Sequence, residues 1–363
     1  MPIFHPVLKP ENIALNQIIE GVPGSMHSSL YASDLAMGKG SLPNVFVYPW
    51  QPGTGFGVKY ADPSLAPGSC NGIAFCGNTD IAVAHNTGNR IAAYPWTPGA
   101  GFGIRYAAPL TLPPHDGQSA AFCGNTDIAV AHKTSPYLSC YPWTPNAGFG
   151  VKHADPLTLL PSTGNSLAFC KNTDLAVAHD NSPRASAYPW TPNSGFGAKY
   201  ADPATIPPSH AYGVDFCGNT DVAFAHYANV YITAYPWTPG AGFGIKYANP
   251  GVNVGAGMQG NGVAFCGNTD IAIAHDGATR IAAYPWTPKT GFGVKHADAV
   301  TVPPGACNGV AFCGNSDIVA AHVDEPYITA YPWNPGAGFG VKYENPGIIP
   351  AGATAGKCCS FLM

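Results

Sequence analysis

Tyr-Pro-Trp stands at Tyr48, Tyr94, Tyr141, Tyr188, Tyr235, Tyr284 and Tyr331, and all seven tryptophans of the chain belong to this series. The spacings are 46, 47, 47, 47, 49 and 47 residues. A fixed period of this size marks solenoids, propellers or arrays, whose units cannot bury their faces alone. It overrides the two or three domains that 363 residues suggest. The 44 glycines and 37 prolines recur in register, so they read as turn punctuation and not as disorder.

The unit is clearest between residues 71 and 109. Asn71 to Cys76 is a short apolar run, Gly77-Asn78-Thr79-Asp80 a turn, and Ile81 to His85 a second run. A polar loop, Asn86 to Asn89, leads to a third run, Arg90 to Trp96. Thr97-Pro98-Gly99-Ala100-Gly101 is the next turn, and Phe102 to Tyr106 a fourth run. Gly and Pro at this density exclude helices. The pattern predicts four strands of about five residues in a meander. Ile81-Ala82-Val83-Ala84 is apolar on both faces, as a strand sandwiched between neighbouring sheets must be. Seven four-stranded sheets that cover each other's faces close most simply into a ring. The expected fold is therefore all-β, a seven-bladed β-propeller of four-stranded antiparallel blades.

The ends suggest how the ring closes. Counting back 14 residues from Tyr48 places Asp34 where Asp80 stands before Tyr94. Counting 26 on from Trp333 places Cys359 where Cys76 follows Trp50. The strand 357–363 is thus expected to complete the first blade, whose other strands span about 31–60. The domain reading is an N-terminal arm, 1–24, which matches no repeat, and one propeller, 25–363.

Charged residues are only 10% of the chain, and net charge is −4 with no basic block. That argues against a nucleic-acid partner, which needs a positive field. No apolar run reaches membrane-spanning length, and no signal peptide is visible at the N-terminus. Six of the 11 cysteines, Cys76, Cys123, Cys170, Cys217, Cys266 and Cys313, occupy one repeat position. They read as small buried apolar residues, and assembly is expected in a reducing cytoplasm. One cation per repeat (Lys59, Arg105, Lys152, Lys199, Lys246, Lys295, Lys342) falls on the fourth strand, where it is expected to discourage edge-to-edge pairing.

Ala264-Phe265-Cys266-Gly267-Asn268-Thr269-Asp270-Ile271-Ala272-Ile273-Ala274-His275, a loop, and Arg280-Ile281-Ala282-Ala283-Tyr284 resemble a divergent WD-repeat unit. It is similar to repeats of proteins from bacteria and tailed bacteriophages. Tyr-Pro-Trp replaces the usual Trp-Asp pair and the Gly-His pair is missing, so the WD family's Asp-His-Ser/Thr-Trp network does not carry over. The resemblance implies that loops between strands two and three share one face with the interblade loops. The other turns lie opposite.

The ring residues have structural readings. Asp34, Asp80, Asp127, Asp174, Asp221, Asp270 and Asp317 are expected to bond their own turns. His85, His132, His179, His226, His275 and His322 read as structural, since one per blade cannot converge on a metal. No metal or other cofactor is expected. Trp50, Trp96, Trp143, Trp190, Trp237, Trp286 and Trp333 are expected to pack the hairpins, with sugar stacking as the alternative. Every polar residue of a strand or tight turn reads as a ring member, and no catalytic motif stands out, so no enzyme is expected. The loops between strands two and three vary. Asn89, Lys133, Asp180, Tyr227, Asp276 and Glu325 are the candidate partner contacts. The expected function is a non-catalytic binding or structural propeller acting through protein–protein contacts in a larger assembly, such as a phage virion or tail. The alternative is a multivalent carbohydrate-binding lectin with one site per blade.

Overall fold

The computed structural model describes residues 33–228, 230–251, 259–349 and 355–362. The arm, 1–24, lies outside them, as does most of the long interblade loop that begins at Gly251. The ring belongs to one compact unit, Tyr31–Met363.

Seven four-stranded antiparallel sheets make up the ring. Blade two shows the pattern: Cys70–Cys76, Asp80–His85, Ile91–Thr97 and Gly101–Phe102. Blades three to seven repeat it over residues 117–149, 164–196, 211–243, 260–292 and 307–339. Blade one is built from both ends of the chain. Ser33–Lys39, Val45–Gln51 and Gly55–Phe56 are joined by Gly356–Phe361, which pairs antiparallel with the first of them. Its register runs from Leu35 opposite Phe361 to Lys39 opposite Gly356. The expected strand exchange is observed, but three residues out of the counted register: Leu362, not Cys359, takes the place of Cys76 beside Asp34.

The second strand is buried along its whole length in blades two to seven, because neighbours cover both of its faces. The fourth strand departs from expectation: only two of its residues pair in the ladder. Beyond them the chain is held by isolated bonds, Gly103 N–H to Pro95 O at 2.8 Å and Tyr106 N–H to Ala93 O at 2.9 Å. Two glycines explain why Gly-Phe-Gly always follows Tyr-Pro-Trp. Gly101 has φ +93°, and a Cβ at Gly103 would lie 2.9 Å from the ring of Pro95. Phe102 is thereby turned onto Trp96, edge to face at 5.1 Å.

The cations do not guard exposed edges. The side chains of Lys59, Lys152, Lys199 and Lys295 are only 10–13% exposed and pair with the aspartates three residues on. The outer rim instead shows Val58, Ile104, Val151, Ile245, Val294 and Val341, 75–87% exposed. Such short fourth strands offer little edge to pair with, so a charge is not needed there.

Candidate functional site

The aspartates turn out to join blades. Asp80 is fully buried, and its own turn is closed by Thr79, whose Oγ1 lies 3.0 Å from Cys76 O. The carboxylate accepts from Thr79 Oγ1 at 2.7 Å and from Tyr106 OH at 2.5 Å. It also accepts from the indole Nε1 of Trp143, in the next blade, at 3.3 Å. This last bond recurs at all seven seams at 3.0–3.4 Å, including Trp50 to Asp317 where the two ends of the chain meet. The residue in Tyr106's place is His153 in blade three and His296 in blade six. That ring also packs edge-on against the same tryptophan, with centroids 5.0–5.5 Å apart. Burial raises the pKa of Asp34, while the Tyr60 and Trp96 donors oppose the rise. So the expected bond from Asp to its own turn backbone is replaced by an interblade hub.

Asp174→Ala strips the acceptor from Tyr200 OH (2.5 Å) and Trp237 Nε1 (3.4 Å). Each orphaned group costs about 1–3 kcal/mol, so urea unfolding is expected to show a loss of about 2–6 kcal/mol. Asp174→Asn, which keeps an acceptor oxygen, is expected to lose less.

The hub fixes the place of the tryptophans. All seven are 0–4% exposed, with Nε1 committed to Asp and ring faces covered by Phe and by the preceding blade's Tyr or His. No indole face is open for a sugar ring, so Trp50, Trp96, Trp143, Trp190, Trp237, Trp286 and Trp333 do not have the exposure that stacking requires.

The six strand-two histidines are 0–3% exposed. Four of them place Nε2 on a strand-three hydroxyl: His132 on Ser139, His179 on Ser186, His226 on Thr233 and His322 on Thr329, at 2.8–3.1 Å. Burial pushes the pKa of each of the six down to about 4. Among the described residues, no three His, Cys, Asp or Glu side chains converge as metal ligands. All 11 cysteines are free thiols. The ring cysteines of blades two to six reach the next blade's turn, as Cys76 Sγ does to Gly124 O at 3.4 Å.

The antiparallel register puts the loops between strands two and three at the same end of each blade as the interblade connections. The candidate contacts stand there. Lys133 pairs with Asp116 at 3.2 Å, and Asp180 Oδ1 accepts from Asn165 at 2.7 Å. Asp276 Oδ1 accepts from Gln259 N–H at 2.6 Å. Tyr227 and Glu325 are exposed, and Asn89 lines a pocket between blades one and two. The six are spread around the ring, one per blade from two to seven, and do not form one cluster.

The innermost strands of all seven blades line an axial cavity of about 790 Å³. Its wall corrects the reading that strand polar residues are all ring members. Ala74, Ala121, Ala168, Ala264 and Ala311 share one position with Ser360, and in blade five it is Asp215. Asp215 accepts from Phe216 N–H at 2.9 Å and from Phe265 N–H, in the next blade, at 2.8 Å. Burial pushes its pKa up to about 6, against the pull of those two donors. A single acid in a row of alanines was visible in the sequence as a break in the repeat.

No protein-family model and no curated protein matches the sequence. Solved structures do match. A periplasmic gluconolactonase of Pseudomonas aeruginosa, PpgL, is similar at TM-score 0.61 and 12% identity, over 91% of this chain and 99% of that one. A protein from Lactobacillus plantarum is similar at TM-score 0.63 and 10% identity, with the same coverage. The WD40 β-propeller domain of Doa1 is similar at TM-score 0.51 and 10% identity, over 78% of this chain and 84% of that one. At these identities the likeness shows the fold alone. It nevertheless corrects the expectation that the chain is not an enzyme. A lactonase shares this architecture over nearly its whole length, so a regular ring does not exclude catalysis. None of these likenesses points to a virion or a lectin.

Proposed function

We propose that the propeller is a binding module that engages protein partners through its variable face, within a larger assembly, with residues 1–24 as a docking arm. The observation that carries this reading is the difference between the two ends of the blades. One end carries near-identical Asn-Thr-Asp and Thr-Pro-Gly turns in seven-fold register. The other carries loops that share length more than sequence, held on a scaffold whose seams are bonded shut. A rigid frame with varied loops is how propellers and other scaffolds separate stability from recognition. The exposed apolar residues of the rim add surface for packing in an assembly.

The test compares three full-length chains in affinity purification from the native host. One is unaltered. One carries alanine at Asn89, Lys133, Asp180, Tyr227, Asp276 and Glu325. One carries alanine at Thr97, Thr144, Thr191, Thr238 and Thr287 on the uniform face. Partners retained by the first and third chains and lost by the second are the expected result. Loss only with the third chain, or retention by all three, overturns the reading.

A further inference from the structure

Blade two breaks the repeat at three positions, one of them in the wall of a pocket. In the other six blades the strand-four lysine reaches an oxygen three residues on. The partners are Asp62, Asp155, Asp202 and Asp298 in four blades. They are Asn249 and Asn345 in the remaining two. Blade two has Arg105, and Ala108 stands where the oxygen would be. Among the described residues no carboxylate pairs with Arg105, and its guanidinium lies near the Tyr94 hydroxyl.

The third break is on strand three. The position that holds Ser139, Ser186, Thr233 or Thr329 is Ala92 in blade two. Blade six also has alanine there, Ala282, but Thr279 Oγ1 lies 3.3 Å from His275 Nε2. His85 Nε2 has no partner, and the side chain is 97% buried, being 3% exposed. His85 Nδ1 accepts from Thr87 N–H at 3.4 Å. A backbone amide only donates, so the ring proton of the neutral imidazole sits on Nε2. The Nε2 donor of His85 is therefore unpaired and shut off from solvent.

Both side chains line a pocket of about 640 Å³ at the seam of blades one and two. Asn44, Asn86 and Asn89 complete its polar wall. The connection between the blades closes tightly over His85: a Cβ at Gly68 would lie 1.9 Å from Thr87 Oγ1 and 2.9 Å from His85 Nδ1. Arg105 alone is charged among the described lining residues, and none is a carboxylate. Its charge is felt at His85, where it adds to burial in holding the imidazole neutral.

We propose that this pocket binds a small carboxylate ligand, with Arg105 as the anchor. Six blades supply an oxygen to this cation from their own chain, and blade two leaves the place open. A guanidinium fork matches a carboxylate in two parallel hydrogen bonds, which the point charge of lysine does not. The recess is open on its solvent side, so it suits a small anion held at one charged end. This inference is independent of the partner reading.

The test is calorimetric titration of the full chain at low ionic strength with succinate, benzoate and inorganic phosphate. Saturable binding of a carboxylate at one site is expected. Arg105→Ala is expected to weaken it about tenfold or more, the loss of a charge-assisted pair. Ala108→Asp restores the oxygen that the other blades carry. It is expected to abolish binding while melting at or above the unaltered chain, so that unfolding cannot account for the loss. No binding of either carboxylate, binding of phosphate alone, or full carboxylate affinity in Ala108→Asp overturns the proposal.

Discussion

A chain that ends at Gly356 is expected to lose at least about 5 kcal/mol of stability, a large part of the total in a typical domain. Deletion of residues 357–363 removes the innermost strand of blade one and exposes the Leu35–Lys39 ladder as an open edge. Phe361, 5.4 Å edge-on from Trp50, and Leu362 leave the core, a loss of about 2–3 kcal/mol each. Contacts to both neighbours go as well. Cys358 Sγ lies 3.7 Å from Cys70 Sγ of blade two, and the strand packs against the innermost strand of blade seven. The seam between the two chain ends then rests on the Trp50–Asp317 bond and its surroundings, with no strand exchange behind it. Thermal melting and urea unfolding of the truncated chain check this. Rescue by a synthetic peptide of residues 356–363 would show that the lost strand, and not the altered terminus, is responsible. Unchanged melting contradicts the closure mechanism.

The blades and their closure were legible because both depend on counting. A period of 47 fixes the number of units, and the length left after Trp333 brings the tail into the first blade, although its register lies three residues from the count. The role of Asp80 was not legible. Its turn lies beside it in the chain, but its decisive donor, Trp143, is 63 residues on and one blade away. Only the packing of sheet on sheet brings the two together. Strand four was read as five residues because Phe102 to Tyr106 alternates. Pro95 has no N–H to answer the bond that Gly103 N–H makes to its carbonyl, so the ladder ends after two. The candidate sites show the same division. Asp215, Ala92, Arg105 and Ala108 each stand out in the sequence as departures from a ring position. That Arg105 and His85 line one pocket follows from the seam geometry, which no spacing within one repeat reveals.

The six buried histidines make acid stability the sharpest global readout of this ring. Each has a folded pKa near 4, against 6.5 for the free side chain. Between those values the unfolded chain binds protons that the folded chain refuses. Stability therefore falls as pH drops from about 6.5 toward 4, and above about 7 these groups contribute no pH dependence. Near pH 5 each histidine accounts for about 0.9 proton taken up on unfolding, or about five for the set. Asp215 acts in the opposite sense. Its folded pKa of about 6 lies above its ordinary 3.8, so it gives back about one proton over the same range. The net uptake of about four protons corresponds to a slope of about 5–6 kcal/mol per pH unit, enough to unfold the ring near pH 5. Urea midpoints measured from pH 7.5 to 4.5 read this slope directly. His179→Gln, whose amide can still bond Ser186, is expected to reduce it by about 1.2 kcal/mol per pH unit near pH 5. A stability that stays flat between pH 7 and 5 would mean that the histidines take up protons inside the folded ring, and the neutral hydrogen bonds to Ser139, Ser186, Thr233 and Thr329 could not then be its resting state.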